Sequence, residues 1–280
     1  MASNKTPLSP PIVLTFAASD PSGGAGIQAD LMTISSMGAH ALSVITALTV
    51  QDTIGIDSIL AIDADWVDEQ ARALLEDMPV DAFKIGLLGT LENIEVIARI
   101  LSDYPDIPLV LDPVLASGRG DELADEEMIS AMRSLLLPHT TVLTPNSIEA
   151  RRLVCGEDEE ESDLALDECA RRLVAFGCEY ALLTGTHENT PQVVNDLYSV
   201  GGLVRSDSWE RLPGSYHGSG CTLASAVAAG LAHGLEVDEA VREAQDYTWQ
   251  ALAAGFHPGM GQFIPDRFFW ARHKEDRSDA

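Results

Sequence analysis

Basic residues are scarce in this chain: 17 lysines and arginines stand against 44 aspartates and glutamates, a formal charge of −27 over 280 residues. A surface of that sign repels nucleic acid and anionic membrane, so neither is expected as a partner. It also repels nucleotides at long range, so any phosphate site must be built locally from backbone N–H groups, a metal ion, or both. Cysteine is sparse too. Cys155, Cys169, Cys178 and Cys221 form no CxxC pair and have no histidine at ligand spacing. That argues against structural zinc and for reduced thiols in a cytoplasm. No apolar run reaches the length of a membrane span, and "MASNKTPLSPP" lacks the apolar stretch of a secretory signal. The pattern GxxxxGK[ST] is absent, which excludes a P-loop, and the absence of GxSxG excludes a serine-hydrolase elbow.

What is present is an alternation of short apolar runs and helical patterns. Strands are expected at 12–18, 41–50, 56–62, 81–89, 108–114, 140–146 and 180–185. Helices are expected at 24–38, 63–78, 90–104 (Thr90 as N-cap), 125–138, 147–156 and 165–177. In the last of these, Ala165, Cys169, Leu173 and Phe176 mark one stripe. The pattern then changes to two strand-like runs flanking Gly201–Gly202, a hairpin, and closes with helices at 220–233 and 237–255. This order predicts an α/β fold with a mostly parallel sheet covered by helices on both faces. A single domain over 11–273 is expected between a flexible N-terminus (1–10) and a flexible tail (274–280). The aromatic segment 257–273 is expected to dock on the body or on a partner subunit.

Ligands of such folds sit beyond the carboxyl ends of the strands. Asp20 with Gly23, Gly24 and Gly26, Gly86 with Gly89, Asp112, and Asn146 with Glu149 fall at four such ends. "GAGIQA" (24–29) matches a dinucleotide fingerprint, but "SDPSGG" separates it from the strand, whereas the fingerprint needs glycine directly after the strand. The bland reading is a loop with glycine where φ is positive. "HGSGC" (217–221) opens a small-residue helix. Bare N–H groups at Gly218, Ser219, Gly220 and Cys221 suit an anion, and the helix dipole adds about half a positive charge there. The same field is expected to favour the Cys221 thiolate. The alternative is a small buried cysteine packing an alanine-rich helix. Asp112 and Glu149 suit a shared Mg²⁺, or are an ordinary turn residue and first-turn acid. Together, anion hole and polar strand ends point toward phosphoryl transfer.

"DPSGGAGIQAD", "SVITALTVQDT", "KIGLLG", "VLDPV", "LTPNSIEA" and "HGSGCTLASAVAAGLAHG" occur in this order. The chain resembles hydroxymethylpyrimidine/phosphomethylpyrimidine kinases of thiamine biosynthesis, ribokinase-like enzymes, over about residues 10–255. The resemblance implies a three-layer ribokinase-like fold, use of ATP and Mg²⁺, a cytoplasmic enzyme and a homodimer. It implies phosphorylation of 4-amino-5-hydroxymethyl-2-methylpyrimidine and then of its monophosphate. It further implies Cys221 where the wider superfamily carries an aspartate base, with Gly218, Ser219 and Gly220 as anion hole. Gln51 would hold the pyrimidine, with Asp20, Gly24 and Leu87 completing the substrate site. Asp112 and Glu149 would be the metal-linked acids, with Asn146, Thr184 and Gly185 near the nucleotide. Two departures stand out. "LTGTH" replaces "VKGGH", placing Thr184 where relatives carry a phosphate-binding lysine, and "ASGRGD" replaces "AKSGD", adding Arg119. The alternatives are a pyridoxal kinase of the same superfamily and a non-catalytic pyrimidine sensor.

Overall fold

The computed structural model describes residues 9–117, 120–155 and 164–272. Most of the expected flexible N-terminus, the expected tail and Arg119 lie outside the described residues. In chain order the elements are β1 (Ile12–Ser19), α1 (Gly26–Ser36), β2 (His40–Gln51), β3 (Ile56–Ala61), α2 (Ala64–Asp77), β4 (Ala82–Ile85), α3 (Leu91–Asp103), β5 (Leu109–Leu111), α4 (Glu126–Ala131), β6 (Val142–Leu143), α5 (Ser147–Val154), α6 (Leu166–Ala175), β7 (Tyr180–Thr184), β8 (Gln192–Ser199), β9 (Gly202–Glu210), α7 (Ser219–Ala232), α8 (Val237–Ala253) and α9 (Phe269–Arg272).

The described strands form one sheet in the order β3-β2-β1-β4-β5-β6-β7-β8-β9. From β2 through β7 every pairing is parallel, and β3, β8 and β9 add antiparallel margins. Strand pleating sends alternate residues to opposite faces. Leu14, Phe16, Phe83, Leu111 and Leu143 meet helices α2 to α6 on one side. Val13, Val110, Val142 and Leu182 meet α1, α7 and α8 on the other. Both faces are therefore apolar, and the central strands read as continuous hydrophobic runs rather than alternating ones. The chain leaves β1 toward β2 on one side and reaches β4 on the other. That reversal opens a crevice at the carboxyl ends of the strands.

Several expected elements are shorter than their sequence patterns. β4, β5 and β6 stop early because the chain turns into the crevice, so the residues after Ile85, Leu111 and Leu143 are loops. The helix expected over 125–138 is α-helical only to Ala131. It then widens into a π-turn (Met132–Leu136) and tightens into a 3₁₀ turn (Leu137–His139) around Pro138, which has no N–H to continue the ladder. In α6, Cys169 and Leu173 are buried as expected, but the stripe's ends, Ala165 and Phe176, are exposed. The aromatic C-terminal segment docks on the body. Phe263 packs on Tyr216, and the Trp270 indole donates to Ser36.

One buried polar cluster crosses the α1/α7 side of the sheet. Asp30 on α1 accepts from Thr15 of β1 (2.7 Å), Lys84 of β4 (3.0 Å) and Ser225 of α7 (2.8 Å). Both charged side chains are wholly inaccessible. The Lys84 ammonium also fills the space where a Gly86 side chain would begin, 2.8 Å away. Removing one member of a buried pair strands the other charge, whereas removing both does not. Lys84→Met is therefore expected to cost about 3–5 kcal/mol of stability. Asp30→Asn combined with Lys84→Met should cost clearly less than the sum of the single changes. Urea denaturation of the three variants measures the coupling, and additive losses would refute it.

Candidate active site

Two helix N-termini meet at the crevice, those of α1 and α7, and neither has a side-chain cap. Gly218 caps α7 at φ +77°, and a Cβ there would lie 1.9 Å from the carbonyl oxygen of Gly24. Only glycine fits both demands. The Arg267 guanidinium, buried beneath, donates to the carbonyls of Gly24 (2.6 Å) and Gly218 (3.5 Å) and to the Thr222 hydroxyl (3.1 Å). Arg267 thus ties the loop before α1 to the first turn of α7. Gly220 is exposed to the crevice and Ser219 partly so, which leaves this turn open to an anion.

Cys221 is half-buried at that turn, facing Lys84, Asp112 and the Gly26 N–H. Burial pushes its thiol up to about 12. Lys84 and the Gly26 N–H oppose the rise, while Asp112 and Asp30 add to it. The direction is opposite to the thiolate expected from the helix terminus: burial first, then the Asp112 and Asp30 charges, favour the protonated sulfur in the absence of a bound cation.

Asp112 follows β5 and lies against Gly220, whose Cβ would be 3.8 Å from Oδ1. Asp112 Oδ2 is buried without a hydrogen-bond partner. Burial raises the Asp112 carboxyl, with Lys84 pulling the other way and Asp30 adding to the rise. Glu149 opens α5 in a capping box with Asn146. Asn146 Oδ1 accepts from the N–H of Glu149 (3.0 Å), and Glu149 Oε2 accepts from the N–H of Asn146 (3.0 Å). Burial, then the nearby Asp112 charge, lifts Glu149 to about 8. Glu149 thus caps its helix, as a first-turn acid does, and it also stands near Asp112 in a pair of carboxylates short of positive charge. Among the described residues no group of three His, Cys, Asp or Glu side chains gathers as a metal cluster. A pair with one orphaned oxygen fits Mg²⁺, which takes few protein carboxylates and leaves positions for water and phosphate.

The remaining expected residues divide between the crevice and the scaffold. Gln51, at the end of β2, lines an open cleft of about 420 Å³ with Ser22, Asp52, Pro258 and Met260. That cleft does not reach Cys221. Leu87 is half-buried after β4, and its carbonyl accepts from Thr46. Asp20 is 2% exposed, and its carboxylate accepts from Ser22 (N–H 2.8 Å, hydroxyl 2.9 Å), from the Ala25 N–H (2.8 Å) and from His217 (2.8 Å). Burial works against its ionisation, but the His217, Ser22 and Ala25 donors hold it below the usual carboxylate range. Its oxygens are engaged within the protein, so Asp20 shapes the loop. Gly24 is required because His217 covers it, 2.2 Å from where a Cβ would stand. Thr184, at the end of β7, is buried and bridges to Asn146. The Gly185 N–H is taken by Val194 (2.9 Å), and a Cβ there would strike the Val194 carbonyl. Gly185 therefore offers no free N–H to a phosphate.

Sequence reasoning missed His217, Arg267 and the Asp30–Lys84 pair. His217 adjoins the glycines of "HGSGC", and Lys84 is the lone charge inside an apolar strand, so both left a trace. Arg267 left none, because its partners are backbone carbonyls distant in sequence.

The Glu149 shift gives a pH dependence. Its folded pKa, about 8, lies above its ordinary 4.5, so between those values the folded state holds a proton that the unfolded state has released. Stability must then fall as pH rises through that window. Without divalent cation, Tm is expected to drop from pH 5 to pH 8, and less steeply in Glu149→Gln. Added Mg²⁺ should flatten the wild-type slope. Equal slopes for wild type and variant would contradict the assignment.

Residues 20–266 match the sequence profile of a family described as phosphomethylpyrimidine kinase. A hydroxymethylpyrimidine/phosphomethylpyrimidine kinase of Streptomyces coelicolor is 41% identical over 93% of this chain and 96% of its own. The ADP complex of Bacillus subtilis pyridoxal kinase superposes with a TM-score of 0.83 at 30% identity, covering 94% of this chain and 99% of that one. The phosphomethylpyrimidine kinase of Clostridium difficile gives 0.74 at 33% identity, covering 86% and 99%.

Proposed function

This chain belongs to the phosphomethylpyrimidine kinase family, and on that premise we propose that it phosphorylates 4-amino-5-hydroxymethyl-2-methylpyrimidine with ATP, and then the monophosphate, to supply the pyrimidine diphosphate for thiamine biosynthesis. The observation that carries this reading is the uncapped first turn of α7 facing the partnerless Asp112 oxygen, with Cys221 between them. We further propose that residues 11–273 act as one kinase domain in the cytoplasm.

In the first reaction the substrate hydroxyl oxygen bonds to the γ-phosphorus, the bond to the β-phosphate bridge breaks, and ADP leaves. The N–H groups of Ser219, Gly220 and Cys221 stabilise charge on the transferring group. Asp112 and Glu149 would hold Mg²⁺, which when bound neutralises phosphate charge. Cys221 would take the hydroxyl proton as a thiolate, having first released its own proton to water; Lys84 favours that release, and a bound cation would add to it. Gln51 binds the ring by donating and accepting at the aminopyrimidine edge. Thr184 supplies a hydroxyl where relatives offer lysine, so the α7 turn, with a cation held by Asp112 and Glu149, would have to neutralise the phosphates.

Pyridoxal kinase is the second reading, because the Bacillus enzyme of that name superposes with the higher TM-score. An ADP-release assay with the hydroxymethylpyrimidine, its monophosphate and pyridoxal in parallel separates the two, and turnover confined to pyridoxal would reject the first. Cys221→Ser keeps the backbone N–H and removes the sulfur. It is expected to lose at least about tenfold in kcat, less than the usual range of about 10²–10⁴-fold for general-base assistance because a loose phosphoryl-transfer transition state needs little help from a base. Free wild-type enzyme should alkylate slowly at neutral pH, because burial pushes the thiol up to about 12. Full kcat in Cys221→Ser would leave the anion hole as the sole reason for this turn.

A homodimer is proposed on the apolar margin of the sheet. Leu48 and Val50 of β2, Leu60 of β3 and Trp66 of α2 are 43%, 60%, 66% and 64% exposed. Sedimentation is expected to show a dimer that Leu60→Glu shifts toward monomer. A wild-type monomer at micromolar concentration would refute it.

A further inference from the structure

Gln51 and His217 meet across the mouth of the crevice, where hydrogen-bond accounting leaves a single consistent arrangement. Gln51 Nε2 lies 3.0 Å from His217 Nε2, and Gln51 Oε1 lies 3.0 Å from the Thr49 hydroxyl. His217 Nε2 is also 2.8 Å from Asp20 Oδ2. That carboxylate takes two backbone N–H groups and the Ser22 hydroxyl besides, so it is an acceptor. His217 Nε2 must then carry the hydrogen. A protonated Nε2 cannot accept from an amide NH₂, and two donors would face each other at 3.0 Å. A half-turn of the terminal amide exchanges its oxygen and nitrogen in place and removes the conflict. The Gln51 carbonyl then shares the single His217 Nε2 hydrogen with Asp20 Oδ2 in a three-centre bond. The Gln51 NH₂ donates to the Thr49 oxygen, whose own hydrogen goes to the Ser19 carbonyl at 3.0 Å. The chain closes at both ends with each of these groups partnered. It leaves Gln51 one acceptor lone pair and one N–H for a ligand at the mouth of the crevice.

We propose that His217, held by Asp20, is a specificity-determining residue that works with Thr49 to lock the Gln51 amide in one orientation, so that the site accepts a ring carrying an amino group beside a ring-nitrogen acceptor and rejects its oxo counterpart. The inference rests on the reading that Gln51 meets the pyrimidine edge. An amide free to turn serves both patterns equally, since amino-and-acceptor and oxo-and-N–H are mirror demands. A locked amide serves one. The ring cannot evade the lock by turning over, because its 5-hydroxymethyl group has to reach the α7 turn. His217 and Thr49 are thus positioning residues that act through Gln51, and their removal relaxes selectivity rather than abolishing phosphoryl transfer.

The experiment compares kcat/KM for the 4-amino hydroxymethylpyrimidine with that for its 4-oxo analogue. A site built around one polar pattern discriminates strongly, so wild type is expected to prefer the amino ring by at least about 100-fold. His217→Phe keeps a ring over Gly24 and removes the donor. Its preference is expected to shrink at least about tenfold, through a higher KM for the amino substrate and a lower one for the oxo analogue. Thr49→Val frees the other end of the amide and should shift the preference in the same direction, which keeps the test decisive if the histidine variant folds poorly. His217→Phe combined with Gln51→Leu should bind the amino ring no worse than Gln51→Leu alone. Undiminished preference in both His217→Phe and Thr49→Val, with Gln51→Leu binding weakly, overturns the lock and leaves the Gln51 reading intact. Unchanged pyrimidine affinity in Gln51→Leu overturns that reading, and the lock with it.

Discussion

The site depends on the close approach of Gly24 to Gly218. Two backbone segments, one leading into α1 and one into α7, pass so near that a Cβ on Gly218 would strike the Gly24 carbonyl, while the His217 ring fills the space beside Gly24. Arg267 lies under the crossing and binds a carbonyl from each. Without that contact the two uncapped helix ends would not face one crevice, and the bare N–H groups of α7 would have no opposite wall. Its tightness also explains why a C-terminal segment reaches back across the molecule, since an arginine buried among carbonyls can be supplied from any part of the chain that docks there.

Around this crossing the electrostatics invert the character of the whole molecule. The exterior is strongly acidic, yet the carboxylates at the crevice are set against fixed positive groups. Asp20 is held ionised by N–H donors and His217. Asp30 is matched by Lys84 and two hydroxyls. Asp112 and Glu149 are the exceptions: both are buried, both are raised, and one oxygen of Asp112 has no partner. A buried carboxylate pair left short of positive charge suits a ligand that brings a cation with it. Cys221 lies beside that pair, and burial together with the Asp112 and Asp30 charges pushes its thiol up.

The sheet order and its reversal between β2 and β4 place Asp20, Gly86, Asp112 and Asn146 along one edge, though they lie far apart in the chain. Short strands serve the same end. β5 and β6 finish after three and two residues, and the chain they release forms the floor of the crevice. The capping box at α5 then turns a residue needed to start a helix into a wall of the site.

The sequence by itself determined the alternation of strands and helices, the hairpin at Gly201–Gly202, Thr90 as N-cap, the glycine-opened α7 turn and the family. These follow from short-range causes: apolar periodicity, turn chemistry and contiguous motifs. Tertiary structure alone decided where strands stop, since a strand ends when its neighbours do. It also decided the direction in which the Cys221 thiol is pushed, because that depends on its burial and on Lys84, Asp112 and Asp30 arriving from three other elements. The same holds for Gly185, whose N–H a neighbouring strand consumes, and for the Asp20–His217–Gln51 chain, whose members lie up to 197 positions apart. Which hydrogen faces which lone pair is a property of packed neighbours, and no local pattern encodes it.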